Sequence, residues 1–455
     1  MLFWVAGIMS IIALAAVLSW HYCRNVDWQI KLATARLNKI ICSQRRGEHV
    51  PQRLLKNIYT IINKGMDANH SIAIYQALDL LKLAFGYGLV RPGESARLMA
   101  VGVRALNANK PDTVSFVIDT FRPLVRQLPP EAIVSAVDQL TLIGVVSLKR
   151  KHNFLAAKVV ECIFFIMEQT NGAADQKVAV AAIRAFRVIG VLVLRRRDAA
   201  LFREMNMCLA VWLAANPQAD EIAEEAGRAL AAWLHRITWL GEVSLFTIMA
   251  NSTYSLIEAN VFTDEGIGLI VDEWGNVAAS ACLNPMTPLA GLIIEFLFQV
   301  ANKNNQHWIK VVAVAGRVAK LAIYRHGLIA AFMVIYPMLE LGRRLLWSEL
   351  KFIEYNDEFH NKLLFRVVRE CLILLTYAAR QNLLGSTGET IVELYKHWAA
   401  RSEIANNPKS IKKYCQFLLL FWLKNKRQSK RYMPCDSELI EPILFSDIEK
   451  QKLGI

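Results

Sequence analysis

Apolar residues recur at helical spacing along most of the chain, from about Val50 to about Leu423. Ile222, Ala226 and Leu230, for example, form one apolar stripe in a segment that is otherwise rich in Glu and Arg. Typical loop pairs separate such stretches: Pro92-Gly93, Pro129-Pro130, Asn171-Gly172, Asn216-Pro217 and Asn284-Pro285. Because no alternating strand pattern lies between these loops, the sequence predicts an all-α body.

A short pattern with a central glycine occurs three times in the first half of this body. The copies are 98–106, 140–148 and 186–194, and they begin at Leu98, Leu140 and Phe186, 42 and 46 residues apart. Glycine inside a helix costs about 1 kcal/mol relative to alanine. Its return at Gly102, Gly144 and Gly190 predicts that a neighbouring helix approaches too closely for a Cβ atom.

This period resembles that of HEAT and armadillo repeats, which run roughly 40–47 residues. The resemblance is architectural and implies an irregular helical-repeat body. It brings no catalytic residues, and the Pro, Asp and Arg positions of HEAT units do not recur at fixed places here. An irregular α-solenoid outside these families, or a helical domain without repeats, is the alternative.

A run without charged side chains, Leu2–Trp20, precedes the body. At about 1.5 Å per residue, a helix of this length approaches the ~30 Å hydrocarbon core of a bilayer. The alternatives are a cleaved signal peptide and a buried core helix, but the chain has neither a basic start nor a clear cleavage site. We therefore predict an N-terminal transmembrane helix that remains uncleaved.

Basic residues follow this run, including Arg24, Lys31, Arg36 and Lys39, which are candidate contacts to lipid headgroups. By the positive-inside rule they place the N-terminus outside and the body in the cytoplasm, with a bacterial plasma membrane as the expected location. Other apolar stretches are short or carry charges, so we predict buried helices there: Val178–Leu194, Met286–Val300 and Gly327–Leu339. A polytopic protein is the alternative.

The expected organisation has four parts: a transmembrane anchor (1–22), a basic juxtamembrane segment (23–48), a helical-repeat body (49–423) and a basic tail (424–455). In the juxtamembrane segment, Ile30, Ala33 and Leu37 fall near one helical face. This segment is predicted either to lie on anionic lipid or to form the first helix of the body.

A net charge of +14 favours anionic partners: acidic proteins, anionic lipid or nucleic acid. Two basic triplets follow equivalent helices, and their six residues are candidate contacts to such a partner: Lys149, Arg150, Lys151, Arg195, Arg196 and Arg197. The simpler explanation is that they complement helix dipoles. No nucleic-acid-binding motif accompanies the charge, so nucleic acid is not the expected partner.

The sequence contains no recognised catalytic or phosphate-binding motif, so we expect neither an enzyme nor a cofactor. The acidic residues beside His360 match no metal motif, and the eight cysteines form no CxxC pair. Four tryptophans fall at the helical spacing of core residues and are predicted to be buried: Trp233, Trp239, Trp308 and Trp347.

The leading hypothesis is a membrane-anchored scaffold for a cytoplasmic, acidic protein. The alternatives are a structural element on anionic lipid, and a polytopic protein or enzyme without a visible motif.

Overall fold

The computed structural model describes residues 2–42, 50–87, 90, 94–170, 175–216, 220–283 and 287–325, together with six single residues beyond. Within the first helix it describes the side chains of residues 12–17, 25 and 27–41. The described chain divides into two compact units, Met1–Ala229 and Leu230–Ile455.

The described elements are helical, which confirms the prediction of an all-α protein. The helices are α1 Leu2–Cys42, α2 Gln52–Asp67, α3 Ser71–Gly86, α4 Glu94–Asn107, α5 Pro111–Phe121, α6 Pro130–Lys149, α7 Asn153–Gln169, α8 Gln176–Arg195, α9 Ala199–Ala215, α10 Asp220–Leu240, α11 Val243–Glu258, α12 Asp264–Ala281, α13 Thr287–Lys303 and α14, residues 308–325. Short 3-10 segments lie at Arg122–Gln127 and Asn305–His307.

Successive helices of the first unit form hairpins that stack in two layers. The pairs α2–α3, α4–α5, α6–α7 and α8–α9 are in contact. Helices α2, α4, α6 and α8 follow one another in one layer, while α1, α3, α5, α7 and α9 follow one another in the other. This alternation is the repeat that the sequence predicted, because each hairpin buries its apolar face only against its neighbours.

The repeated glycines lie where three helices meet. A Cβ atom on Gly102 would lie 3.1 Å from Val117 Cγ1 on α5 and 3.3 Å from Ile143 Cδ1 on α6. One repeat later, a Cβ atom on Gly144 would lie 3.0 Å from Ile189 Cδ1 and 3.2 Å from Val159 Cγ1. The predicted close approach is therefore confirmed at these two positions, and the equivalent contacts set the register between α4, α6 and α8.

In the second unit, α12 contacts α13, and α14 lies along α12. Lys310 Nζ donates to the Gly268 carbonyl at 2.7 Å, and Arg317 donates to Asn276 Oδ1 at 3.0 Å. A Cβ atom on Gly275 would overlap Val314 Cγ1, so these helices too approach closely.

Two of the apolar stretches predicted to be buried helices are so: 178–194 within α8 and 286–300 largely within α13. The third, 327–339, lies outside the described residues.

Of the tryptophans predicted in the core, Trp233 and Trp308 are buried, but the prediction for Trp239 is wrong. Its ring is 56% exposed, because it lies in the last turn of α10, and it stacks beneath the Arg236 guanidinium at 4.2 Å. Trp347 lies outside the described residues.

Among the helices whose side chains the structure describes throughout, one has the length and apolar composition needed to cross a membrane: α6, with a mean hydropathy of 1.5. Within the apolar stretch of α6, 44% of the residues are buried, and α6 contacts α4, α7 and α8. These contacts explain its apolar composition as that of a core helix. The membrane location of Leu2–Trp20 and the cytoplasmic orientation stay predictions.

Candidate interaction surface

The tight turns that join the helices of each hairpin share one geometry. Lys151 has φ of 65°, its amide donates to the Leu148 carbonyl at 3.2 Å, and the His152 amide donates to the Ser147 carbonyl at 2.9 Å. These two bonds define a Schellman motif, in which a left-handed residue ends the helix. The left-handed residues at this turn are Asn69, Asn109, Lys151 and Arg197 in the first unit.

Two residues of the basic triplets bind the end of the preceding helix in their layer. Arg196 Nη2 donates to the Lys149 carbonyl at 2.8 Å, and Arg150 donates to the Leu106 carbonyl. Lys110 Nζ makes the same kind of bond to the Met66 carbonyl at 2.7 Å. Since the last carbonyls of a helix carry partial negative charge, these contacts support the simpler explanation for Arg150 and Arg196.

These bonds also show that the helices α2, α4, α6 and α8 end side by side. The six triplet residues therefore lie along a single edge, which we call the cationic edge: Lys149, Arg150, Lys151, Arg195, Arg196 and Arg197. All six side chains are exposed. Among the described residues, none of the ion pairs involves Lys149, Lys151, Arg195 or Arg197. Arg104, at the related place on α4, is paired with Asp67 at 2.8 Å.

Next to this edge, the outer surface of α4, α6 and α8 carries two rows of apolar side chains. The register set by the glycines places Ala100, Leu142 and Val188 at the same level, and all three are exposed. Leu142 is 45% exposed and Val188 39%. One turn further along lie half-buried residues, and the two rows together form what we call the even-helix face: Ala100, Leu142, Val145, Val146, Val188, Val191 and Leu192.

The candidate lipid contacts lie on α1. Lys31, Arg36 and Lys39 are exposed, and the side chain of Arg24 lies outside the described set. The apolar face of the same segment is turned toward the body: Ile30, Ala33 and Leu37 are buried, and α1 contacts α2 and α3. Of the two alternatives left open for this segment, the structure thus favours the first helix of the body over a helix whose apolar face lies in lipid.

A buried ion cluster between α8 and α10 escaped the sequence analysis. The Glu225 side chain is only 3% exposed, and its carboxylate lies 3.3 Å from Arg187 Nη1 and 3.5 Å from Arg228 Nη1. Arg184 Nε is 3.9 Å away. The available signal was the placement of Glu225 beside Ile222 and Ala226, on the apolar stripe of α10. A buried carboxylate needs cationic partners, and the preceding repeat supplies two of them.

The described thiols do not suggest a reactive site. Burial raises the pKa of Cys162 and of Cys282 to about 12, and raises that of the half-buried Cys208 to about 11. Each thiol is therefore protonated at neutral pH, and a protonated thiol is a poor nucleophile and a poor metal ligand. Among the described residues, no group of three or more His, Cys, Asp or Glu side chains is placed to hold a metal ion. The acidic residues beside His360 lie outside the described residues.

No family model matches the chain, and no curated protein matches it. Among solved structures, it is similar to one described as a circular tandem repeat protein with novel repeat topology and enhanced subunit contact surfaces. The two chains are 14% identical with a TM-score of 0.27, and the match covers 90% of this chain and 97% of the other. A similarity of this size carries no functional argument. The contacts within the chain show an all-helical protein whose helices pack in repeated pairs.

Proposed function

We propose that the protein is a membrane-tethered scaffold of the HEAT/armadillo type, which binds an acidic protein partner in the cytoplasm through the even-helix face. The observation that carries this proposal is the alignment of exposed apolar side chains at one level of three stacked helices. Single exposed apolar residues are common on protein surfaces, but a contiguous apolar patch marks an interaction site.

The charges around the even-helix face favour the chemistry of this partner. At one end of the face lie the exposed Asp138 and Arg184, which already contacts Glu225. At the other end, where the face meets the cationic edge, lie Lys149 and Arg195, which make no ion pair among the described residues. An amphipathic helix could lay its apolar side on Leu142 and Val188 and its carboxylates on these cations. Opposite charges would speed the encounter and select the partner more than they would add affinity.

The tether in this proposal is α1. Its 41 residues form one helix of about 60 Å, roughly twice the length of a membrane span. In its apolar first half, the described side chains are exposed: Ile12 56%, Leu14 62% and Val17 58%. In its second half, α1 packs on the body. The proposal places the body in the cytoplasm beside a bacterial plasma membrane, and gives it no catalytic role, cofactor or nucleic-acid partner.

Affinity capture with two matched variants tests the partner surface. The full-length protein, gently solubilised from its native membrane, would be compared with Leu142→Glu/Val188→Glu and with a control, Phe154→Glu/Met207→Glu. The control adds the same charge to the other layer, at side chains 69% and 60% exposed. We expect the wild type and the control to retain an acidic protein, and the face variant to lose it. Added salt should release this protein from the wild type.

Two results would contradict the proposal. Equal retention by the face variant would show that the even-helix face is not the binding surface. A partner that is not acidic, or that salt does not release, would refute the electrostatic part.

A further inference from the structure

We infer that the turns of the cationic edge face the membrane in which α1 is anchored and that Lys151 and Arg197 bind anionic lipid headgroups there. This inference rests on the proposed membrane anchor. It assigns a lipid contact to the turn residues Lys151 and Arg197, which lie beyond the even-helix face.

The direction of α1 is the first step. Helix α1 ends at Cys42 and α2 begins at Gln52, so a short connection joins the end of one to the start of the other. Short connections join neighbouring helix ends on the same side of a domain. We therefore take α1 to run antiparallel to α2, as the two helices of each hairpin do, and since α2 and α3 form a hairpin, α1 then runs parallel to α3.

The second step is the edge at which α1 leaves the body. Residues Asp27–Asn38 of α1 and His70–Leu80 of α3 line one groove of about 760 Å³, so the two helices lie side by side. Because they are parallel, the N-terminal half of α1 extends past the start of α3. The start of α3 follows the Asn69 turn, and the equivalent turns of the next repeats hold Asn109, Lys151 and Arg197. The proposed membrane span and the cationic edge therefore lie on the same side of the body.

The third step is distance. From Trp20, at the end of the apolar run, to Ile30, the first buried residue described in α1, the helix rises about 15 Å. The headgroup layer occupies roughly 5–7 Å of this rise. With α1 along the membrane normal, the gap that remains at the level of Ile30 is close to the Debye length of about 8 Å at physiological ionic strength. We place the cationic edge at this level, where its charges interact with anionic headgroups.

The backbone of the turns provides an independent observation. Asn69 and Asn109 occupy the left-handed conformation with φ of 55° and 56°, which asparagine tolerates well. Lys151 and Arg197 occupy it with φ of 65° and 58°, although their Cβ atoms crowd the next carbonyl oxygen and they lack the short polar side chain that helps asparagine there. A strained position that carries a cation in two successive repeats is expected where the charge has a function.

Photo-crosslinking of the full-length protein in nanodiscs tests the orientation. A benzophenone amino acid would replace Lys151 or Arg197 in one set of proteins, and Gln127, an exposed residue at the opposite edge, in the control. With discs of equal parts phosphatidylglycerol and phosphatidylcholine, we expect lipid adducts at 151 and 197, with yields about tenfold higher than at 127. The probe reacts only on contact, and residue 127 lies at the other edge, about 30 Å away along the 20-residue α6.

A second arm tests the charge. The probe would replace Asn153, beside the edge, in the wild type and in Lys151→Gln/Arg197→Gln. In the wild type, the yield of lipid adducts should fall about tenfold when phosphatidylcholine replaces the anionic lipid, since each cation near an anionic surface contributes about 1 kcal/mol to lipid binding. The double variant should give this low yield in both kinds of disc. Equal adducts in all four samples would overturn the electrostatic contact.

The outcomes separate this inference from the proposed anchor. If adducts form at 127 and not at 151 or 197, the anchor stands and the orientation is wrong. If the protein does not enter the discs at all, the anchor fails, and this inference fails with it.

Discussion

Replacing Gly144 by alanine tests the packing of the repeats most directly. Alanine gains about 1 kcal/mol of helix propensity over glycine. At this position, however, the new methyl group would lie 3.0 Å from Ile189 Cδ1 and 3.2 Å from Val159 Cγ1, both closer than ordinary contacts. Overpacking a well-filled core costs about 1–3 kcal/mol. We therefore expect Gly144→Ala to destabilise α6 by up to about 2 kcal/mol.

A double-mutant cycle with Ile189 isolates the contact. Ile189→Val removes the Cδ1 atom that Gly144→Ala would meet, and by itself costs about 1 kcal/mol. In this background the contact with Cδ1 is gone, while the 3.2 Å contact with Val159 Cγ1 remains. The destabilisation caused by Gly144→Ala should therefore become smaller, with a coupling energy of about 1 kcal/mol.

Hydrogen exchange measured by mass spectrometry on peptides of α6 is the appropriate assay. It reports local opening, whereas global unfolding of a chain with two compact units need not be two-state. A tenfold change in the opening constant corresponds to about 1.4 kcal/mol. Gly86→Ala is the control, because a Cβ atom there meets nothing within 4 Å, and its effect should not depend on Ile189. Stabilisation of α6 by Gly144→Ala in both backgrounds would refute the close approach.

Three further predictions follow from the turns, the buried ion cluster and the thiols. Lys151→Gly should stabilise the α6–α7 hairpin by about 1 kcal/mol in the same exchange assay, because glycine relieves the left-handed strain; no gain would contradict the strain. Glu225→Ala should destabilise the α8–α10 contact by about 1–2 kcal/mol, since it removes the buried carboxylate that pairs with the partly exposed guanidinium groups of Arg187 and Arg228. The more exposed neighbour Glu224→Ala should cost under about 1 kcal/mol, and similar thermal unfolding of the two variants would refute the buried position of Glu225. Cys162 and Cys282 should resist alkylation at pH 8 until the chain unfolds, which alkylation of the native protein followed by mass spectrometry checks. Because burial raises the pKa of the folded thiols, their ionisation above pH 9 should favour the unfolded state, and a comparison of stability at pH 8 and pH 10 measures this effect.

The sequence by itself determined the class of fold and part of its packing. Helical periodicity depends on residues three and four apart, so it can be read locally, and it correctly indicated an all-α chain. Gly102 and Gly144 were informative for a similar reason. A glycine within a helix is unfavourable by itself, and its regular return indicated a close neighbour before that neighbour was known.

Only the tertiary structure decided what these helices meet. The apolar side of Ile30–Leu37 is equally compatible with lipid and with protein, and its contact with α2 and α3 removed that ambiguity. Glu225 appeared as an ordinary helical carboxylate, because its partners Arg184 and Arg187 lie one repeat earlier in the chain.

The cationic edge shows the same division. Its six residues and their repetition were visible in the sequence. That Arg150 and Arg196 bind the preceding helix end, and that Lys151 occupies a left-handed turn, depends on where the helices stop and which ends lie together. Local spacing indicates which residues share a face, but only the packed chain determines which face meets which neighbour, because those contacts join residues about 45 positions apart.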